Sequence, residues 1–538
     1  MLRKTRWLNQ MKVLAGAMVF LGLLSPYFVH AADAPPTVRF TVTEFAVEGE
    51  NPLDPAATQS VLAPFKGEHA GIDRLLEAAK ALSAALQREG YTFHRASLPP
   101  QTVDGGRITI RITASRVGEV KVTGREHHSE DNIRAAVPEL QPGTVPDMRH
   151  LSRTLALGNQ QPARHLTLTL KESKKPDTVD TELEVHDQRP WTVFTQLNNI
   201  GQADTGRTRL TLGGQHSNLW DRDHNATFTY TTSPEESDKV EQFGGHYRIP
   251  VYSLGGSFGA YYIQSDVNTG TVGGLGDDFT VSGSGRFLGA SWNQLLYNIG
   301  AYRHSVTFGV EDRSFKNDQQ FLGIDLQGDV RSRPFTFGYE GTYRQEKFGI
   351  GLHVSFLHNL GGGDDNDDRA YADSRLIGTP PGSHGAPESD WNAVRYGLTA
   401  TYALPAAWQL RALIEGQWAD GPLITGERFG IGGHASVRGF EERIVTGDRG
   451  QRASVEIWTP PLPFDVQLLT FLDAGRAVID EPVPGEIRSE TLVSVGLGGR
   501  WHWKENVGIG FDWGRAIDNA ETPGISEEKL HFNVMLRY

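Results

Sequence analysis

From Trp191 to Tyr538 the chain is built of segments of about ten residues that alternate apolar and polar side chains, separated by breaks rich in Gly, Asp and Asn. The last run is the clearest. Phe532, Val534, Leu536 and Tyr538 fall on one face, and His531, Asn533, Met535 and Arg537 on the other. Helical periodicity is nearly absent over about 350 residues. Side chains that repeat every two residues put one face of a strand in an apolar medium and the other in a polar one. A soluble all-β sandwich is one solution at this size. A barrel with lipid outside and water inside accounts for the pattern better, because lipid then replaces the missing core.

Candidate strands lie near 190–200, 206–218, 222–232, 238–250, 254–265, 279–292, 296–313, 331–345, 347–359, 390–404, 408–420, 451–460, 465–475, 491–503, 507–517 and 529–538, sixteen in all. Sixteen is even, as a bacterial barrel closing on itself requires. The long connections (266–278, 314–330, 360–389 and 421–450) all follow odd strands, whereas even strands end in short turns, as at Glu346 and Pro405. All long loops therefore open on one side. Composition agrees: 61 glycines in 538 residues exceed the usual ~7%, and 25 Phe, 15 Tyr and 11 Trp accompany only 38% hydrophobic residues.

The absence of cysteine excludes disulfides and thiolate metal sites. A net charge of -13 argues against a nucleic-acid partner. Residues 1–31 read as a secretory signal peptide: Arg3, Lys4, Arg6 and Lys12 are basic, 13–24 is an apolar core too short to span a bilayer, and Val29-His30-Ala31 fits a cleavage site. The expected mature chain is exported.

Between leader and barrel, an order of elements repeats after about 75 residues. In the first copy, 38–47 is a strand, 55–62 and 72–87 are helices, and 91–98 and the alternating Ile108, Ile110 and Ile112 are strands after the turn Asp104-Gly105-Gly106. In the second, 117–122 is a strand, helices start at the caps Ser129 and Asp147, and strands cover 166–170 and 179–185. This duplicated βααββ order, with the junction Val103 to Ile110 leading into Val117 to Gly124, resembles a tandem pair of POTRA domains of the Omp85 superfamily, spanning 38–114 and 115–187. The fold class expected is therefore α+β domains followed by an all-β, 16-stranded antiparallel transmembrane barrel over 188–538.

Two local matches to catalytic or metal motifs lack context. Gly255-Gly256-Ser257-Phe258-Gly259 fits a nucleophile elbow, but no helix follows it. The acidic run 363–368 lacks the central Gly and final Glu of a calcium loop. No catalytic residue, metal ligand or cofactor site is assigned.

The richest stretch runs from Glu427 through Phe429, Gly430, Gly432 and Gly433 to Ser436-Val437-Arg438-Gly439-Phe440, with Asp448 and Glu456 beyond. An arginine among small and apolar neighbours needs a carboxylate, and its planar fork favours a bidentate one. Asn198-Asn199-Ile200-Gly201 and Asn218-Leu219-Trp220-Asp221 resemble the lead-in to the barrel of the TpsB family (ShlB/FhaC/HecB type), the outer-membrane transporters of two-partner secretion. Ser436 to Phe440 resembles that family's VRGY/F motif at the tip of the sixth outer loop. Phe471-Leu472-Asp473-Ala474-Gly475 resembles its F-x-D-x-G motif on the thirteenth strand.

The resemblance implies a translocase that captures an unfolded partner exoprotein, a TpsA-type adhesin, haemolysin or contact-dependent toxin, and exports it without nucleotide hydrolysis. It implies that loop 6 (421–450) folds into a partly wet lumen, that Arg438 pairs with Asp473, and that Phe440 seats on the wall. Partners implied besides the cargo are outer-membrane lipid and lipopolysaccharide, periplasmic chaperones, and the barrel-assembly machinery. The alternatives are an Omp85-type assembly or insertase factor, which usually carries more POTRA domains, and a passive pore or receptor. Two departures stand out. A first strand near Val38 leaves only 33–37 after cleavage, too little for the plug helix of some members, and the final residue is Tyr538 where Phe is commoner.

Overall fold

The structure, a computed structural model, describes residues 39–266, 270–274, 277–281, 284–316, 320–321, 324–325, 327–518 and 528–538. The expected leader lies outside the described residues.

The N-terminal elements are β1 (Arg39–Val42), β2 (Glu44–Gly49), α1 (Pro55–Leu62), β3 (Gly67–Ala70), α2 (Asp73–Arg88), β4 (His94–Ser97) and β5 (Arg107–Ala114). The expected strand 38–47 is divided at Thr43, whose N–H bonds Gly106 O at 2.8 Å. β1 thereby leaves the line of β2 and pairs antiparallel with β3, a strand the repeat pattern did not predict. Tyr91 belongs to the end of α2, its N–H reaching Leu86 O at 2.9 Å beyond the left-handed Gly90, so β4 is shorter than 91–98.

The second set is β6 (Arg116–Thr123), α3 (Glu130–Ala135), α4 (Met148–Gly158), β7 (Arg164–Glu172) and β8 (Thr178–Asp187). Ser129 Oγ accepts from Asn132 N at 3.1 Å and Asp147 Oδ1 from Arg149 N at 2.7 Å, the two caps expected. β8 lies in the middle of the sheet, parallel to β6 and antiparallel to β7. Alternation buries Leu183 and Val185, and a register shift between Val117 and Val120 turns both inward, so that with Leu166 they pack against Ile133, Val137 and Leu151.

From Trp191–Asn198 to Glu528–Arg537 the strands close into one antiparallel barrel. Its ring holds seventeen segments, but Val330–Ser332 and Pro334–Arg344 are one strand interrupted at Arg333, giving the sixteen expected. Outward positions such as Leu212, Phe228, Leu288, Val310, Leu398 and Leu497 are exposed, while inward neighbours such as Thr211, Thr229 and Ser494 are buried. Strand 16 meets strand 1 over five positions, Asn533–Arg537 against Asn198–Phe194. Beyond them the Asn199 amide extends the ladder, donating to Leu530 O (2.6 Å) and accepting from Phe532 N (2.9 Å).

Candidate functional site

Loop 6 joins strand 11 (Gln409–Ala419) to strand 12 (Arg449–Trp458). It is itself a hairpin: Phe429–Ile431 pairs with Val445–Gly447, which carries the tip at 432–444 away from the rim. Gly432 (φ 99), Gly433 (φ 103) and Gly439 (φ 94) are left-handed. At Gly439 the need is also steric, since a Cβ there would stand 2.9 Å from Gly514 backbone on strand 15 (Val507–Asp518), and one on Gly514 would stand 2.6 Å from Gly439 N. The tip and the wall touch backbone to backbone.

Arg438 is fixed by that contact. Its Nε donates to Asp473 Oδ2 (2.7 Å) and its Nη2 to Asp473 Oδ1 (2.9 Å), the bidentate pair expected. Nη2 also reaches Ser454 Oγ (3.2 Å), Nη1 meets Glu456 (2.7 Å), and the Arg438 N–H returns to Asp473 Oδ2 (3.2 Å). The guanidinium lies 3.6 Å from the Phe471 ring centroid, a cation–π contact. Side-chain exposures are 6% and 0% for Arg438 and Asp473, drier than the partly wet lumen expected. The desolvation penalty is offset by the hydrogen bonds that surround the pair.

Phe440 is fully buried with Ile431, Val437, Val445, Ala477 and Leu492, and Phe429 packs on the edge of that cluster. Gly475 makes room for it: a Cβ there would lie 2.9 Å from Val437 and 3.1 Å from Ile431. Ser436 N bonds Gly433 O (3.0 Å), and its buried hydroxyl has no partner among the described residues. The structure thus brings the two motifs of the sixth loop and thirteenth strand into one contact.

The base of the loop is held elsewhere. Glu427, fully buried, takes Arg313 Nη1 on both oxygens (2.9 and 2.6 Å), Arg395 Nη2 (3.1 Å) and Ser332 Oγ (3.0 Å). These partners stand on strands 7 (Tyr302–Lys316), 8 (the interrupted Val330–Ser332 and Pro334–Arg344) and 10 (Asn392–Ala403). The tip instead touches strands 12, 13 (Val466–Val478) and 15, and the Gly439 N–H donates to His531 Nε2 (3.1 Å) on strand 16. Strands 7 and 8 face 15 and 16 across a sixteen-strand ring, so loop 6 is a strut pinned on opposite walls. Asp448 braces its return, accepting from Leu423 N (2.9 Å), Arg428 Nε (3.2 Å) and Asp480 N (2.9 Å).

The profile described as haemolysin secretion/activation protein ShlB/FhaC/HecB matches residues 178–500. The chain belongs to this family. A POTRA domain of ShlB type matches residues 40–115. Relatives include the heme/hemopexin transporter protein HuxB of Haemophilus influenzae (strain 86-028NP), 21% identical over 80% of this chain and 75% of HuxB. Another is the outer membrane transporter CdiB of Escherichia coli O6:K15:H31, 22% identical over 83% of this chain and 74% of CdiB. Solved structures of CdiB from Escherichia coli (TM-score 0.75, 18% identity, 96% of this chain and 93% of that one) and from Acinetobacter baumannii (0.69, 17%, 95% and 92%) share the fold. The protein is a TpsB-type outer-membrane transporter of the Omp85 kind, with its POTRA region in the periplasm. Its family consists of transporters, not enzymes.

The motif reading missed several residues of the transporter. Asp512 lies 3.8 Å from Arg438 and is bound by Arg500 (2.8 Å). Arg164, at the start of β7, pairs with Asp223 in the first periplasmic turn of the barrel at 2.8 Å, with side-chain exposures of 0% and 1%. Asn132, Gln161 and Tyr252 complete that buried knot, with Asn132 donating to Asp223 at 3.0 Å. Only the inward register of Asp512 and His531 signals them in sequence, and nothing local signals Asp223.

Proposed function

We propose that the transporter captures an unfolded secreted partner, a TpsA-type adhesin, haemolysin or contact-dependent toxin, in the periplasm and passes it through the barrel as loop 6 withdraws. Capture proceeds by β-augmentation, the cargo adding a strand to a POTRA edge. No nucleotide is used, since the periplasm holds no ATP, and folding of the cargo outside draws it through. The observation that carries this reading is the buried Arg438–Asp473 pair, which keeps a crossing loop in the lumen by contacts that can be exchanged. The other assigned positions serve that pair: Ser436, Val437, Gly439 and Phe440 shape and seat the tip, and Phe471 and Gly475 form its socket. Glu427, Phe429, Gly432 and Gly433 hold the hairpin behind it.

The test is secretion of the cargo by Arg438→Ala and Asp473→Ala, with the folded barrel quantified in the outer membrane. Each variant is expected to cut secretion at least tenfold at normal barrel levels. Wild-type secretion by both would overturn the role of the loop. Capture is tested apart from it by crosslinking a secretion-blocked cargo, where a lack of contacts to residues 115–187 would overturn it.

A further inference from the structure

The sheet of β6, β8 and β7 has two edges, and the structure closes one of them. On the β6 edge, Val117 exchanges bonds with the segment after α3, donating to Thr144 O (2.8 Å) and accepting from Gly143 N (2.8 Å). Farther along, Arg134 Nη2 takes Val120 O at 2.7 Å. Among the described residues, the β7 edge is covered at one place only. Asn159, just after α4, turns its side chain onto Leu166, its Oδ1 accepting the Leu166 N–H (2.7 Å) and its Nδ2 donating to the Leu166 carbonyl (3.0 Å). An asparagine amide used in this way imitates one rung of a neighbouring strand.

In an antiparallel pair, alternate residues point both backbone groups away from the partner. Leu166 does so, because its groups meet Asn159, so Leu168 and Leu170 point theirs outward too. Among the described residues those groups have no partner, and Thr167, Thr169 and Lys171 beside them are exposed. The covered rung lies at the barrel end, two residues from Arg164 and its buried Asp223 pair. There a cavity of about 600 Å³ joins Asn159 and His165 to Ser305, Glu340 and Thr342 at the mouth of the barrel. Ser305 shares the inward register of Arg313, which binds Glu427 of loop 6, so this cavity opens on the lumen wall.

We infer that an extended segment of the exported polypeptide pairs with β7 at Leu168 and Leu170, and that Asn159 ends that ladder by occupying the next rung. The segment must leave the sheet where the cavity begins. Asn159 is thus a positioning residue that sets how many rungs the cargo gains and where it is released toward the lumen. The β6 edge, sealed by Arg134 and the 143–144 turn, takes no part. This inference rests on the capture reading above and goes further by naming edge, register and stop.

The chain has no cysteine, so single substitutions give clean disulfide probes. The probe is a twelve-residue peptide of alternating threonine and valine with lysine at each end and one central cysteine. It is applied to the full-length transporter in liposomes. Crosslinks are expected at Thr169→Cys and Lys171→Cys, and at most a tenth as much at Thr167→Cys or at Lys121→Cys on the β6 edge. Adding Asn159→Ala frees one rung, so crosslinking at Thr167→Cys is expected to rise about fivefold to tenfold, the equivalent of one more hydrogen-bonded residue. Asn159→Asp, which can accept from Leu166 N–H but cannot donate to its carbonyl, is expected to fall between. Protease resistance of residues 115–187 checks that each variant is folded.

Equal crosslinking at Lys121→Cys overturns the choice of edge. No gain at Thr167→Cys in either folded Asn159 variant overturns the stop. No crosslink at any of these positions overturns capture itself, which separates the two failures.

Discussion

Glu427 offers the sharpest test of the strut. Glu427→Ala leaves Arg313 and Arg395 facing the vacated site, with Arg313 retaining Glu311 and Arg395 retaining Gln417. Breaking a buried ion pair by removing one partner costs about 3–5 kcal/mol. Arg313 is 15% exposed, so its share stands nearly in full. The Arg395 side chain is 35% exposed, so its pair is worth only about 0–1 kcal/mol. A loss of about 3–4 kcal/mol from the docked base raises the undocked population roughly 10²- to 10³-fold. Glu427→Gln keeps the shape and the neutral hydrogen bonds, so it is expected to lose only about 1–2 kcal/mol. Trypsin reads this directly, because Arg428 and Arg443 lie in the loop and are shielded when it is docked. Cleavage there follows the open population when reclosing is fast. Planar-bilayer conductance should rise in the same order, wild type below Glu427→Gln below Glu427→Ala. Wild-type cleavage and conductance in a correctly folded Glu427→Ala barrel would refute the strut.

Three further outcomes are expected. Arg438→Lys keeps the charge but loses the fork, including the bond to Ser454, so protease shielding of loop 6 should weaken roughly tenfold, less than for Arg438→Ala. Asn199→Ala removes both side-chain bonds at the seam, so the Phe532 amide should exchange hydrogen at least tenfold faster while Asn533 to Arg537 hold, and an unchanged Phe532 rate would refute the stitch. Burial would raise the carboxyl of Asp187, but the N–H groups of Glu126, His127 and His128 and the His128 ring outweigh it and hold it below the ordinary range. A depressed carboxylate stabilises the fold above its unfolded pKa of about 3.9, and that stability is lost as pH falls through the folded value. Unfolding of the periplasmic region below about pH 4 should therefore steepen in wild type and not in Asp187→Asn.

The barrel was legible because lipid and lumen impose opposite chemistry on alternate residues, so each strand states its own two faces. The pairing of Arg438 with Asp473 was legible because family resemblance links two short motifs. The partners of Glu427 were not: Arg313 and Arg395 are 114 and 32 residues away, and a lone arginine on an inward register has no local mark. Asp223 was hidden for the same reason, its partner Arg164 lying 59 residues earlier, on β7 outside the barrel. The division of β1 from β2 is marked in sequence only by a one-residue phase shift, from Phe40 and Val42 to Phe45 and Val47, and the bond that turns the chain there comes from distant Gly106. Periodicity sees a residue's medium, not its long-range partner.

Two latches on one loop also have a kinetic consequence. If the tip leaves Asp473 while the base stays on Arg313, the loop remains tethered within the barrel, and its return is an intramolecular event at an effective concentration of about millimolar or above. The same holds if the base leaves first. In the proposed transport cycle, opening one latch at a time keeps the loop inside the pore it must reclose, and a passing chain competes with a rebinding step that needs no diffusion from outside. The two latches need not be strong for closure to be fast; they need only be far enough apart that one event does not break both.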